Sequence, residues 1–400
     1  MSPPPRTGIA RRAAWALVCL LVFSMPWEKS IMLPGLGTFT RLVGMLAFAG
    51  GVAAAVERRS LRRPNLAMAF AALFAAWSGA TWLWSLDRAA TLTRATTLAE
   101  LFAMLWLIWD ACRGPARQRQ LMQAYVWGAV AASATAWVRY LEHQQTYYRR
   151  YAAAGFDPND FGLILALAIP PALYLALEAR GWRRWCYQGA VLAVVSAVVL
   201  TASRTALVAT LVALVFALWT WRRADIWLKV TTVLMFLLLA VGTLQFAPAP
   251  ARNRLATLPT ELSGGTFHGR TRIWKAGLKV LKRHPVRGVG AGAYPAAVRP
   301  WLGVPGVPGH FYVAHNTFLS VLVECGAIGF ALYALYLATL AFYIRAMPPV
   351  ERALWAVVAA AWTVGVSTLT WEQYKPSWLM AALIMTAWAR SYWAAGESAK

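Results

Sequence analysis

The sequence predicts an all-α, polytopic membrane protein with about twelve transmembrane helices and one long external loop. Apolar residues make up 60% of the 400 positions, and apolar runs recur throughout the chain. Runs of roughly 20 such residues match the length needed to cross the hydrocarbon core of a bilayer. Arginines fill every other short loop between the runs, and cytoplasmic loops of membrane proteins show this alternation.

The formal charge of +24 raises the question of a nucleic-acid partner. Basic clusters between spans are explained by membrane topology and by attraction to anionic lipids. We therefore expect membrane lipids, and no nucleic acid, as partners. The four cysteines are scattered and form no C-x-x-C pair, so they indicate neither a disulfide framework nor a metal site; they are Cys19, Cys112, Cys186 and Cys325.

Residues 1–247 are predicted to hold spans one to nine. Arg6, Arg11 and Arg12 precede the first apolar run, which lacks a small-residue cleavage site and therefore indicates an uncleaved span with a cytoplasmic N-terminus. The following spans are predicted at about 39–56, 66–84, 91–111, 121–140, 161–177, 186–200, 206–219 and 226–246. Arg94 and Glu100 fall within span four and should face a cavity or a partner, because an ionised group in lipid is costly.

Residues 315–400 are predicted to hold spans ten to twelve. These spans lie at about 317–344, 354–369 and 377–390, and a short polar tail follows. Twelve spans place both termini in the cytoplasm. The sequence FDPND (156–160) predicts a turn on the outside, directly before span six.

The remaining segment, residues 248–314, is a long external loop that breaks the charge alternation. It carries ten basic residues between Arg252 and Arg299, and it contains His268, His284 and His310. Long translocated loops escape the orientation rule, but their charge still needs a reason. Two explanations remain open at this point, namely attraction to anionic lipid headgroups or binding of an anionic ligand.

Part of this loop has the pattern of an amphipathic helix. In RTRIWKAGLKVLKRHP, apolar residues recur at helical spacing and basic residues take the opposite face. Pro285 is expected to end the helix, which could lie flat in the membrane interface. Gly288, Gly290 and Gly292 then predict a flexible turn in which backbones approach closely. A GxGxG so far from any strand is weak evidence for nucleotide binding.

His315 and Asn316 stand directly before span ten, facing the loop. A histidine at the end of a span is often an interfacial residue that bonds to backbone. An imidazole can also accept a proton near neutral pH, as attack by a hydroxyl group requires. Asn316 is placed to cap the helix.

Arginines are the other candidates. Arg204 lies in a very short external turn between spans seven and eight, where desolvating it for stability alone would be costly. Arg270 begins the amphipathic helix beside Gly269 and can turn inward. A guanidinium matches phosphate oxygens bidentately, although snorkelling to headgroups is the alternative. Further candidate substrate-binding residues on the external side, besides Asn316, are Arg149, Arg150, Arg272 and Arg287.

Four segments, in this order, resemble the motif series of bacterial O-antigen ligases and the related O-antigen polymerases. They are SRT (203–205), GRTRIW (269–274), HPVRGVGAG (284–292) and HNTFLSVLVECGAIG (315–329). The twelve spans and the long loop before the HN motif also fit that superfamily, as does FDPND. The specific motifs cover only residues 203–329.

The resemblance implies an inner-membrane glycosyltransferase whose active site faces the periplasm. Such a ligase transfers a glycan from undecaprenyl diphosphate to a sugar hydroxyl of lipid A–core. It implies that Arg204 and Arg270 hold the diphosphate and that His315 deprotonates or orients the acceptor hydroxyl. It also implies inversion at the anomeric carbon by direct displacement. The sequence has no D-x-D run, so we expect no metal and no cofactor, with arginines taking the place of a metal.

Other activities remain open from the sequence. A polymerase that extends the repeat unit, or a transferase to protein hydroxyls, belongs to the same superfamily. A lipid-linked glycan transporter should show internal repeats and charges deep in several spans, whereas here the candidate charges gather at one face.

Overall fold

A computed structural model describes residues 7–145, 150–245, 269–302 and 312–398, and within them the chain is almost entirely α-helical. The helices are α1 (Thr7–Ser24), α2 (Phe39–Arg58), α3 (Leu66–Ala80), α4 (Arg88–Ala111), α5 (Pro115–Leu141), α6 (Pro158–Ala166), α7 (Ile169–Glu178), α8 (Trp182–Thr201), α9 (Arg204–Trp219), α10 (Ile226–Gln245), α11 (Arg270–Arg283), α12 (Tyr294–Leu302), α13 (Thr317–Arg345), α14 (Pro349–Val366) and α15 (Lys375–Ser398). A short hairpin pairs Met32–Leu33 with Gly37–Thr38, and single 3-10 segments follow α1 and α3.

Every predicted span coincides with a helix or, for span six, with the broken pair α6–α7. Six helical segments among the described residues are long and apolar enough to cross a membrane: Phe39–Arg58, Leu66–Trp84, Arg88–Ala111, Pro158–Glu178, Trp182–Thr201 and Thr317–Arg345. Arg204–Trp219 and Ile226–Gly242 are apolar but shorter. The all-α membrane fold is thus confirmed in outline, while the count of twelve spans, the external side of the loop and the division at residues 247 and 314 stay predictions.

The α6–α7 pair is the most enclosed of these spans, because α5, α8 and α9 surround it. The helix breaks at Leu167 and Ala168, and Pro170 and Pro171 lie in the first turn of α7. A proline has no N–H to donate and disfavours helical backbone in the residue before it, so the break follows from the sequence. Its N-terminal end is fixed by Asp157, whose carboxylate accepts from the N–H of Asn159 at 2.7 Å.

The part of the loop that the structure describes forms a small packed module with its own apolar core. Helix α11 has the predicted position and ends at Arg283, before Pro285. Its apolar face packs against α12 and α13, so this face contacts protein instead of lying on lipid. Leu278, expected on that face, is 48% exposed. The module core consists of Ala276, Val280, Val289, Ala293, Tyr294, Ala297, Val298, Leu302, Ala314 and Val323.

The segment HPVRGVGAG is inserted into a kink of the long helix α13. At Gly326 the backbone turns to φ 67°, so two helical N–H groups lose their usual acceptors. The N–H of Ala327 donates to the carbonyl of Pro285 at 2.9 Å, and that of Ile328 donates to Val286 at 3.3 Å. The two helix carbonyls that these N–H groups would normally contact accept hydrogen bonds from the loop instead. The carbonyl of Val323 accepts from the N–H of Val289 at 3.1 Å, and the carbonyl of Glu324 accepts from the N–H of Gly290 at 2.9 Å.

This exchange explains the glycines of both motifs. A Cβ at Gly288 would overlap the backbone of Glu324, and a Cβ at Gly326 would overlap that of Val286. Gly290 has φ 113° and would collide with Ser85 if it carried a side chain. Buried backbone groups need partners, and here each motif provides them for the other. The predicted close approach is therefore confirmed, and it joins the loop to a span.

Both ionisable residues of span four have partners, as expected. Glu100 accepts from Nε of Arg41 at 3.0 Å. Arg94 forms ion pairs with Glu372 and, at 3.4 Å, with Glu324. Glu324 also accepts from the N–H of Gly292 at 2.8 Å. This buried group of three joins α4, α13, the turn before α15 and the loop module, and it holds the module on the bundle.

Candidate active site

Three helices begin close together at one end of the bundle, beside the loop module. They are α6, α9 and α13, capped by Asp157, Ser203 and Asn316. Ser203 Oγ donates to Asn159 Oδ1 at 2.9 Å, which joins α6 to α9. Because helix N-termini carry partial positive charge and free N–H groups, their convergence favours an anion at this end.

The C-terminal end of α14 connects the start of α9 with the start of α13. The hydroxyls of Thr205 and Thr368 are hydrogen-bonded at 2.8 Å. Asn316 Nδ2 donates to the carbonyl of Ser367 at 3.1 Å, while its Oδ1 caps α13 by accepting from the N–H of Leu319 at 2.9 Å. The predicted capping role of Asn316 is confirmed, and its other amide group holds the start of α13 next to that of α9.

Arg204 is the first residue of α9, where the sequence predicted a turn residue. The turn contains only Ala202 and Ser203, and Ala202 has left-handed backbone, φ 47°. The side chain of Arg204 is half-buried. Its position at a helix N-terminus adds the full charge of a guanidinium to the partial charge of the helix.

His315 lies one residue before the cap of α13, directly before the helix as the sequence predicted. Its backbone is left-handed, φ 46°, a region that non-glycine residues enter rarely and often at functional sites. Trp274 Nε1 of α11 donates to the carbonyl of Ala314 at 2.8 Å. That bond ties the segment carrying His315 to the helix that begins with Arg270.

The environment of His315 changes the expected chemistry. Burial, and next the positive charge of Arg270, lower the pKa of His315 to about 4, while the Asp157 carboxylate opposes the shift. The sequence predicted an imidazole that titrates near neutral pH. The structure corrects this, because a cation is unfavourable both in a half-buried position and beside an arginine. His315 is therefore neutral at pH 7 and able to accept a proton, although its low pKa makes it a weak base.

The structure thus brings His315, Arg270 and Asp157 into one electrostatic group. Arg270 is half-buried at the start of α11. Arg272 and Arg287 are both exposed, and the guanidinium of Arg287 lies 5.9 Å from the ring centroid of Trp84. Arg149 lies outside the described residues. Their substrate-binding roles stay predictions.

Arg150 is only 7% exposed and holds backbone in place. Its Nε donates to the carbonyl of Thr201 at 2.7 Å, and its Nη2 donates to Asn159 Oδ1 at 2.9 Å. These bonds fix the end of α8 to the start of α6, behind Ser203 and Arg204. Its predicted contact with substrate is untested, and its bonds indicate a positioning role.

Sequence reasoning did not select Asp157, Asn159 or Ser203 for the site. FDPND indicated a turn, and only an Asp–Pro pair before an apolar run hinted that Asp157 caps a helix at the external face. No spacing in the sequence connects Asp157 with His315, which is 158 positions later. Among the described residues, no group of three or more His, Cys, Asp or Glu side chains could hold a metal ion.

A mostly apolar cavity of about 360 Å³ lies between α13, α14 and α15, and Glu372 is the one charged residue in its lining. We call it the α13–α15 groove. It starts at Phe318, two residues after Asn316, and continues along α13 past Tyr333 and Leu337 to Ile344. Its walls suit an aliphatic chain entering from lipid.

One known family matches part of the chain. Residues 189–334 match the family model described as O-antigen ligase. The matched region contains Arg204, Arg270 and His315, as well as both partners of the kink at Gly326. No curated protein matches the chain.

Proposed function

We propose that this chain, a member of the O-antigen ligase family through residues 189–334, transfers a glycan from undecaprenyl diphosphate to a sugar hydroxyl of lipid A–core. The reaction would take place at the periplasmic face of the inner membrane. The observation that carries the proposal is the convergence of His315 and Arg270 at the end of the bundle where three helices, one of them headed by Arg204, begin.

The charge at this end suits a lipid diphosphate. When the anomeric carbon–oxygen bond breaks, negative charge develops on the departing diphosphate and must be stabilised. Arg204 and Arg270 provide guanidinium groups, and the starts of α6, α9 and α13 provide partial positive charge and N–H donors. These groups would take the part of a metal ion, so we propose a metal-independent transfer.

The neutral state of His315 suits the acceptor. In direct displacement, the acceptor hydroxyl oxygen bonds to the anomeric carbon as the bond to the diphosphate breaks, and the hydroxyl proton moves to the imidazole. Inversion at the anomeric carbon follows from attack opposite the leaving group. The incoming diphosphate would offset the charge of Arg270, which raises the pKa of His315 and makes it a stronger base when the donor is bound.

The proposal is tested by deleting the gene and resolving lipopolysaccharide by size. A ligase leaves core lipid without glycan, while long polymer accumulates on the lipid carrier. Core carrying a single repeat would mean that the chain is a polymerase. Normal lipopolysaccharide together with an unglycosylated protein would indicate a protein O-oligosaccharyltransferase, and loss of periplasmic lipid-linked repeat units would indicate a transporter.

The proposed topology predicts that α11 faces the periplasm. Lys282 is exposed on α11, so Lys282→Cys, in a variant without the four native cysteines, should react with an impermeant maleimide in cells with a permeabilised outer membrane. Arg223→Cys, exposed after α9, is the matched control and should react only after the inner membrane is opened. The reverse pattern would refute the proposed orientation.

The α13–α15 groove predicts a site for the polyprenyl chain of the donor. Ala341 lines the groove, so Ala341→Trp should fill it and raise KM for a long-chain donor by at least about tenfold, because apolar contact with the chain is lost. A donor analogue with a short prenyl chain should be affected far less. Leu335→Trp, at an exposed position on another face of the same helix, is the control, and equal effects of both variants would contradict this placement.

A further inference from the structure

A second cavity lies at the far end of the bundle from the candidate active site. Helix α4 starts beside the loop module, where Gly292 packs against Ala90, and it ends at this cavity. Its 24 residues span about 36 Å at 1.5 Å per residue. The cavity measures about 280 Å³ and lies between α1, α2, the end of α4 and the start of α5. We call it the far-end cavity.

The far-end cavity is strongly basic. Four arginines and one aspartate line it, and Glu57 beside the cavity lies 4.0 Å from Arg11, which leaves two positive charges in excess; the arginines are Arg11, Arg58, Arg113 and Arg117. Both carboxylate oxygens of the aspartate, Asp110, already accept hydrogen bonds. Asp110 forms an ion pair with Arg58 and accepts from Arg113 Nη2 at 2.7 Å and from the backbone N–H of Arg62 at 2.9 Å.

One donor in this lining has no acceptor. Nε of Arg58 is buried, and it makes no hydrogen bond within the described part of the chain. A buried donor on a charged group that stays unpaired is costly, and a phosphate oxygen in the cavity would satisfy it. Guanidinium groups present several N–H donors in a fixed fork that matches phosphate oxygens.

The rest of the lining is apolar, which distinguishes this cavity from a site for a soluble anion. Ala14, Val18, Ala54 and Leu107 contribute walls, and Leu107 packs directly on Gly51, where a Cβ would overlap it. Arg117 lies 4.8 Å from the ring centroid of Trp15, at the edge of the cavity. A ligand that fits must carry negative charge at one end and apolar surface at the other.

We propose that the far-end cavity binds the headgroup of an anionic glycerophospholipid. One water molecule takes about 30 Å³ in the liquid, so a cavity of about 280 Å³ has room for a phosphodiester and a glycerol unit. Two acyl chains would not fit in it. The acyl chains would run along the outer faces of α1 and α2, where Leu20, Phe48 and Val52 are exposed. Basic cavities between transmembrane helices recognise anionic headgroups in this way. The proposal does not depend on the transferase function.

The test measures lipid retention on the purified full-length chain by native mass spectrometry. Phosphatidylglycerol and phosphatidylethanolamine with identical acyl chains are offered at equal concentration, and we expect preferential retention of phosphatidylglycerol. In the double variant Arg11→Gln/Arg117→Gln, the affinity of the protein for phosphatidylglycerol should fall by about 10- to 30-fold, at roughly 1 kcal/mol for each arginine lost. Arg222→Gln/Arg223→Gln removes two exposed arginines after α9 and should retain the native preference.

The proposal would be overturned by equal retention of the two lipids, by undiminished phosphatidylglycerol binding in the cavity variant, or by equal losses in both double variants. Displacement of the lipid by glycerol phosphate at similar concentration would assign the cavity to a soluble anion instead. A measurement on the unaltered chain covers the case in which the cavity variant does not fold. Phosphatidylglycerol, and not phosphatidylethanolamine, should slow hydrogen exchange in residues 57–63 and at the end of α4, and an equal response to both lipids would refute the assignment.

Discussion

Replacing His315 with alanine is expected to lower turnover by about 10²–10⁴-fold, the usual range for the loss of a general base, while donor affinity stays nearly unchanged. The reason is that His315 serves the acceptor hydroxyl, whereas the donor diphosphate is held by arginines and helix N-termini. The measurement is donor binding and initial rate on the purified variant in detergent, with lipid A–core as acceptor.

Arg270→Ala is the variant with which the donor affinity and rate of His315→Ala are compared. Arg270 would touch the charged diphosphate both before and during transfer, so its loss should weaken donor binding and lower the rate as well. If His315→Ala bound donor as poorly as Arg270→Ala, the histidine would belong to the phosphate site. The proton acceptor would then be another group, and the Asp157 carboxylate, whose charge acts on the pKa of His315, is a candidate.

The pH dependence of the unaltered enzyme follows from the same geometry. Because the pKa of His315 is lowered to about 4, the imidazole is neutral above that pH, and kcat/KM should fall only as pH drops through about 4. Donor binding brings negative charge beside Arg270 and raises the pKa, so the acid limb of kcat should lie at higher pH than that of kcat/KM. Coincident limbs would show that His315 and the diphosphate do not interact.

The sequence predicts the local features of this fold well, because each depends on neighbouring residues. Apolar runs located the helices, the spacing of apolar residues predicted helix α11, and Asn316 was recognisable as a cap. The cost of placing an ionised side chain in lipid also predicted that Arg94 needs a partner, but it did not identify that partner. Its partners Glu324 and Glu372 are 230 and 278 positions away, and only the packing of distant helices brings them together.

The same limit applies to the two glycine-containing motifs. HPVRGVGAG predicts a close backbone approach, yet nothing in it or in ECGAIG shows that the two segments exchange hydrogen bonds at Gly326. The sequence could not predict the pKa of His315 either. This pKa depends on burial and on Arg270 and Asp157, which come from separate parts of the chain. Residue types therefore predicted the candidate groups, whereas three-dimensional packing determines which of them act together.

Arg204→Lys is expected to lower kcat by about 10²-fold or more, a loss typical of removing one positioned donor from a developing negative charge. Lysine keeps the charge but lacks the planar fork that contacts two phosphate oxygens at once. The variant should keep its fold, because α9 is capped by Ser203 and does not depend on this side chain for its cap. Arg299→Lys, at an exposed position of α12 in the loop module, is the matched control for exchanging an arginine for a lysine outside the candidate site.

The measurement is the initial rate of glycan transfer by both variants and by the unaltered enzyme, each with and without excess EDTA. If Arg204 and Arg270 provide the positive charge, chelation should leave the unaltered enzyme active, and added divalent ions should not rescue Arg204→Lys. Near-normal activity of Arg204→Lys would reduce Arg204 to a surface charge. Activity that is abolished by EDTA and restored by a divalent ion would instead assign the stabilisation of the diphosphate to a metal, and the convergence of α6, α9 and α13 would then serve to position that metal–diphosphate complex.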